Sequence, residues 1–189
     1  MGNVGCMNVE VGDIVFSGQY KPSFYPRAVS FFTQSKWSHC FLIMTDVAGE
    51  RTALEADLKC QIVPFAKEYI EKKRDYYQVF RLPHATSEEL AKAANKTYRE
   101  FAAEEYGFLQ IPWFMWDALC DKLGWNAGKN WFPEGAICSE ILVYFLQNIN
   151  EHYSNLFKQF DDVNRVNPQD IRNIVDANPD SFIFIGERT

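Results

Sequence analysis

The sequence predicts an α+β fold, an antiparallel sheet or partial barrel packed against helices. Three observations predict it. Segments with strand patterning come early and helical patterns group later, an order that argues against alternating βαβ units. Two of the early strands are joined by a short polar turn, which pairs them antiparallel. The chain has 189 residues, 47% of them hydrophobic and 16% aromatic, enough for one domain, 1–189, with a sizeable core.

The elements follow in order. VGDIVF, from Val11 to Phe16, reads as a turn at Gly12-Asp13 entering a short strand. HCFLIMT, from His39 to Thr45, is a mostly apolar strand covered on both faces. DVAGER is a turn. TALEADL, from Thr52 to Leu58, then alternates, with Leu54, Ala56 and Leu58 on one face and Ala53, Glu55 and Asp57 on the other. FAKEYIEKKRDYY reads as a short charged helix whose Lys-Lys-Arg run is a solvated face. YYQVFRL, from Tyr76 to Leu82, is another strand. Thr86-x-x-Glu89 is a capping-box pattern that opens a helix from Ser87 to about Tyr106, with Leu90, Ala94, Thr97 and Phe101 on one face. The stretch from Tyr106 to Phe132 carries Trp113, Trp116, Trp125 and Trp131. It reads as a helical insertion packing on the core, with a wall of a substrate cleft as the sharper alternative. A second helix is expected from near Ala136 to about Asn150, with Ile137, Ile141, Tyr144 and Phe145 as its buried stripe. NPQDI, at 167–171, marks a helix start, and SFIFIG, at 181–186, a last strand.

Composition excludes several classes. The formal net charge is −6, with no basic surplus to neutralise phosphates, so nucleic-acid binding is not expected. No window approaches 18 consecutive apolar residues, so no transmembrane helix is expected. No basic stretch followed by an apolar run opens the chain, which reads as cytoplasmic. Gly2 and Cys6 make a near miss for a myristoylation signal, which wants Ser or Thr in the later position. The five cysteines, at 6, 40, 60, 120 and 138, are odd in number and scattered, so they suggest reduced thiols rather than a disulfide framework.

Cys138 follows Pro-Glu-Gly-Ala-Ile and so falls in the first turn of its helix, where unpaired N–H groups and the positive dipole end favour a thiolate. From position alone, a nucleophile and a small buried core residue fit equally well. A nucleophile also needs a proton-transfer partner. The chain has three histidines. His84 follows Pro83 in a loop. His152 lies roughly 20 Å beyond Cys138 if the helix continues. His39 opens an apolar strand, where a satisfied core histidine is the ordinary reading, yet by elimination it is the candidate base. Glu55 and Asp57, on the neighbouring strand, are the candidate orienting groups. Cys60 and Cys120 lack zinc-site spacing, and Cys40 alternates away from His39, so that pair is not a chelate. No glycine-rich phosphate loop or G-x-S-x-G elbow is present.

These pieces together resemble the circularly permuted branch of the NlpC-type papain-like cysteine hydrolases, in particular its YiiX-like members. The matching stretches are GDIVF (12–16), WSHCFLIM (37–44), ALEADL (53–58), EYGF (105–108), AICSEILVYFL (136–146) and NPQDI (167–171), with histidine before cysteine as in the permuted branch. The resemblance implies a sheet beside a helix that carries the nucleophile. It makes Cys138 the nucleophile, His39 the general base and Glu55, an acid followed by Ala, the orienting residue. It implies a cysteine hydrolase cleaving an amide in a peptidoglycan-type peptide or a lysine-bearing ligand, with no metal or organic cofactor. Relatives in that branch act on acyl lipids, so an acyltransferase or thioesterase with the same residues is the alternative. A catalytically silent binding module is a third.

Overall fold

The computed structural model describes residues 8–19, 35–45, 48–56, 60–71, 75–102, 120, 123–125, 137–160 and 166–188. Six strands form one open antiparallel sheet: β1 (Ile14–Gln19), β2 (His39–Thr45), β3 (Arg51–Ala56), β4 (Cys60–Pro64), β5 (Asp75–Arg81) and β6 (Ile183–Arg188). Their order across the sheet is β4-β3-β2-β1-β5-β6. Four helices are described: α1 (Ser87–Phe101), α2 (Cys138–Gln147), α3 (Glu151–Phe157) and α4 (Pro168–Ala177). The early strands and later helices make the fold α+β, as their order along the chain predicts.

β2 is the wall shared by two cores. Its even residues, Cys40, Leu42 and Met44, pack with Ile14, Phe16, Leu54 and the α2 side chains Ile141, Leu142 and Phe145. Its odd residues Phe41 and Ile43 pack on the opposite face with Val15, Ala53, Phe65, Tyr69, Tyr77 and Val79. A strand covered on both sides needs an apolar residue at nearly every position, which is why HCFLIMT shows no alternation. The β2–β3 hairpin pairs Leu42 with Leu54 and Thr45 with Arg51, a register symmetric about position 48. Gly49, at φ +84°, supplies the left-handed turn residue.

Each long helix has a local reason to start. At α1 the Thr86 side chain accepts from the Glu89 N–H and the Glu89 side chain reaches back to the Thr86 N–H, the capping box its spacing predicts. At α4 Asn167 and Asp170 do the same, with Pro168 in the first turn. α2 starts differently. Its preceding residue, Ile137, offers no side-chain acceptor. A missing cap costs about 1 kcal/mol. Burying Leu142, Phe145 and Leu146, none of them measurably exposed, stabilises by roughly 1.5–3 kcal/mol each and outweighs that cost.

Several expectations change. The charged helix read over FAKEYIEKKRDYY is a six-residue π-helical turn, Ala66–Glu71, and β5 has already begun at Asp75. Tyr69 anchors it, buried on the odd-face core beside Phe65, and the Lys-Lys-Arg run at 72–74 lies outside the described residues. β4 has no strand signal in the sequence, because CQIVP is short and ends in proline. α3 is likewise unexpected. The expected second helix breaks at Asn148, and Asn150 then caps a new one by accepting from the Tyr153 N–H. α1 ends at Phe101, short of Tyr106. The aromatic insertion at 106–132 lies outside the described residues except for Cys120 and 123–125, where Trp125 is exposed. Among the described residues, no helix is long and apolar enough to cross a membrane.

The Gly12-Asp13 turn carries more than a change of direction. Asp13 is buried and takes Arg81 Nε and Nη2, each at 3.0 Å, and the Glu10 N–H at 2.7 Å. Gly12 adopts φ +89°, and the Leu90 side chain of α1 occupies the space a Cβ would need. The turn thus locks β1, β5 and α1 together. Replacing Asp13 with Asn should cost about 1.5–3 kcal/mol, the range for hydrogen bonds to a charged partner. The urea midpoint should fall with the transition slope unchanged.

Candidate active site

His39 is the first residue of β2, opposite Ser17 of β1. The chain just before it is fixed from α4. Ser35 Oγ donates to Gln169 Oε1 at 2.7 Å and accepts from the Trp37 N–H at 2.8 Å. The Ser38 N–H then bonds the Ser17 carbonyl at 3.1 Å. His39 therefore sits at the end of the sheet, where its side chain is about one-fifth exposed.

Counting the β2–β3 register outward places Glu55 opposite Phe41. Glu55 accordingly meets His39 on the diagonal, a span its longer side chain can reach. His39 Nε2 lies 3.4 Å from Glu55 Oε2, long for a hydrogen bond and within ion-pair range. Asp57, the alternative acid, lies outside the described residues.

Alternation places Glu55 on a polar strand face, but that face is covered and Glu55 is buried. Three donors converge on it. Gln61 Nε2, directly opposite in the β3–β4 pairing, donates to Oε1 at 2.9 Å. Tyr69 Oη and His39 both engage Oε2. Burial alone would raise the carboxyl pKa. The His39 bond and charge, the Tyr69 hydroxyl and Gln61 outweigh it and hold the group below its ordinary value. Tyr69 is itself set by ring stacking on Phe41, with centroids 4.3 Å apart.

Cys138 opens α2 and is buried among the even-face side chains. Ser139, next in the helix, donates to the Val166 carbonyl and so ties α2 to the start of α4. Nε2 of His39 is turned to Glu55. The two side chains interact by hydrogen bonding and charge. Burial disfavours the imidazolium, but the Cys138 sulfur and Glu55 more than offset it and push the His39 pKa well above its usual value. The Cys138 pKa is pushed well down. The thiol of Cys40 contributes most, burial works against it, and the His39 charge and hydrogen bond and the Cys40 backbone N–H add to it. The arrangement favours a thiolate–imidazolium pair.

The structure thus brings Cys138, His39 and Glu55 together. The rings of His84 and His152 lie tilted against one another with centroids 4.6 Å apart, and His152 is bonded to Ser181. Sequence reasoning missed Tyr69, Gln61 and Cys40. Tyr69 had one signal, its spacing of four from Phe65 on one side of a short turn. Gln61 needed the unread β4 pairing. Cys40 does point away from His39, as alternation requires, yet the start of α2 lies near enough to the strand end for Cys138 to meet both. An open groove between α4 and the β5–β6 edge, lined in part by Phe80, Arg172, Phe182 and Phe184, includes none of the three.

No family model matches the chain, and no curated protein matches it. The chain has a YiiX-like fold. It is similar to the solved structure of the metalloprotein YiiX from Escherichia coli O157:H7, with a TM-score of 0.53 over 95% of this chain and 97% of that one. The identity is 18%, so the likeness speaks for the fold and not for the chemistry. Among the described residues, no group of three or more His, Cys, Asp or Glu side chains is placed to hold a metal ion. The bonding of Glu55 shows one reason. Both its oxygens already accept from protein donors, so the carboxylate is not presented as a ligand beside Cys138.

Two measurements follow from the opposed pKa shifts. Cys138 should react with iodoacetamide faster than Cys6, Cys40, Cys60 or Cys120 at about pH 6.5, because its thiolate persists below the ordinary thiol range. Peptide mass spectrometry reads the order. In Cys138→Ser, a histidine titration followed by NMR should show the His39 pKa fall, since the sulfur charge that held it up is gone.

Proposed function

We propose that the protein is a cysteine hydrolase of the permuted, NlpC-type papain-like kind, which cleaves an amide bond through an acyl-enzyme. The observation that carries this reading is the chain of contacts from Cys138, at a helix start, through His39 to the buried Glu55. The substrate class is a peptidoglycan-type peptide or another ligand with an amide on a lysine-like amine. The metal in the description of YiiX is not carried over to this chain, whose described side chains do not fit one.

The Cys138 thiolate attacks the carbonyl carbon and the carbonyl π pair moves to oxygen. The first-turn N–H groups of α2, left without a side-chain acceptor by Ile137, are the donors closest in sequence to that oxyanion. The tetrahedral intermediate collapses. The C–N bond breaks, and His39 gives its proton to the departing amine. His39, now neutral, takes a proton from water, whose oxygen attacks the thioester. Release of the acid returns the thiolate and the imidazolium. Glu55 acts through His39: its charge favours the imidazolium and its position sets the ring.

Incubation with electrophilic peptide and acyl-ester probes tests the reading. An adduct mass on Cys138, absent in Cys138→Ala, supports it, and no adduct with any probe overturns it. Glu55→Gln should keep the fold and lower kcat/KM by about 100-fold or more, as when a triad loses its acid's charge. Asp57→Asn should leave it little changed. Turnover by Glu55→Gln equal to wild type would remove Glu55 from the catalytic assignment.

A further inference from the structure

The π-helical turn Ala66–Glu71 follows β4, at one edge of the sheet, and its Tyr69 packs over the odd face with Phe41, Phe65 and Tyr77. A single turn of six residues does not sustain itself, because too few bonds offset its nucleation. The last carbonyls of a helix have no partner within it and attract a cation. The turn carries no basic residue at its own end to meet them. That cation comes from the last strand. Arg188 ends β6, on the opposite edge of the sheet, and pairs with Tyr77 of β5. Directly opposed residues leave a sheet on one face, so the Arg188 side chain follows Tyr77 onto the odd face. There its Nη1 donates to the Tyr69 carbonyl at 2.8 Å and to the Ile70 carbonyl at 3.0 Å.

The residue fastened in this way is the one that reaches the candidate acid. The Tyr69 hydroxyl donates to Glu55 Oε2, the same oxygen that lies 3.4 Å from His39 Nε2. Gln61 holds the other oxygen, so Tyr69 decides where Oε2 points. The Tyr69 ring is stacked on Phe41 and Phe65, with centroids 4.3 and 5.7 Å apart. Stacked rings tolerate sliding past one another, whereas hydrogen bonds to two carbonyls are directional. The rings thus set the plane of Tyr69, and the Arg188 bonds set where the residue stands in it.

We propose that Arg188 is a positioning residue for the reaction, holding the π-helical turn from the last strand so that the Tyr69 hydroxyl aims Glu55 at His39. The inference rests on the reading above, in which Glu55 acts through His39. Arg188 and Tyr69 exchange no proton with the substrate and form no bond to it; both act through Glu55, and in series. Because Tyr69 and His39 share one oxygen, a hydroxyl that held Glu55 back from the base would have the opposite effect on His39. The His39 ring reads that difference, since the charged groups that bear on it are Cys138 from α2 and Glu55 from β3, both favouring the imidazolium.

The test uses the full-length protein and three variants. Arg188→Met keeps the apolar stem and removes the donors, Tyr69→Phe removes only the hydroxyl, and the third combines them. Acetylation of Cys138 by p-nitrophenyl acetate at neutral pH gives kcat/KM, NMR titration of the His39 ring gives its protonation, and urea unfolding gives stability. Each single variant should lower kcat/KM by about tenfold, the scale of one hydrogen bond to a charged group. Each should also move the His39 titration to lower pH, because a carboxylate no longer aimed at the ring favours the imidazolium less. The double variant should be no slower than the slower single, because the two residues act along one path. Arg188→Lys should restore part of the rate, since a single nitrogen makes both bonds and an ammonium can replace it. An Arg188→Met chain that loses stability but keeps its rate and its His39 titration would make Arg188 structural only and overturn the inference. Losses that add in the double variant, or a His39 titration that rises in Tyr69→Phe, would overturn it equally. In each of those cases a wild-type chain acetylated on Cys138 leaves the hydrolase standing. A wild-type chain that the ester leaves unacetylated would refute the hydrolase and the inference together.

Discussion

A carboxylate inside a sheet must be fully bonded, and Glu55 shapes the surrounding structure for that reason. An unpaired buried charge costs several kcal/mol, more than a single hydrogen bond of about 1 kcal/mol returns. Three donors therefore meet it, His39 from β2, Gln61 from β4 and Tyr69 from the π-helical turn. Each comes from a different element, so satisfying one side chain also fixes how those elements sit around β3. The orientation of His39 is one consequence. Its Nε2 is taken by Glu55.

The opposite face of β2 imposes the complementary constraint. α2 is buried along most of its length among Leu42, Leu54 and the helices around it, and this packing lets it begin on Ile137 without a side-chain cap. A helix start left open in that way keeps N–H groups and a positive dipole end for an anion. Cys138 occupies that position. Stability is drawn from the apolar length of the helix, and its polar start is left for chemistry.

β2 joins the two arrangements because consecutive side chains of a strand leave on opposite faces. His39 turns toward the Glu55 face and Cys40 toward the α2 face, yet both reach Cys138. This is possible only at a strand end, where a helix start can approach from beyond the last residue. The same strand thus sets His39 beside Glu55 and Cys40 among the α2 side chains.

The sequence by itself determined the elements whose signal is local. Thr86 and Glu89 make their capping box within one turn, Asn167 and Pro168 start α4 from neighbouring residues, and the unbroken apolar run of β2 states that both its faces are covered. It also narrowed the candidate site to Cys138 and His39, through a helix-start position and the small number of histidines. Glu55 was visible only as one of two acids on a strand face, Tyr69 only through its spacing from Phe65, and Gln61 and Cys40 were not visible as partners at all. CQIVP carries too few residues to show strand periodicity, and a single π-helical turn has no repeat to read. Only the tertiary structure decided the β2–β3 and β3–β4 registers, the burial of Glu55 and the approach of α2 to the end of β2. Those depend on contacts between residues far apart in the chain, which local patterning does not encode.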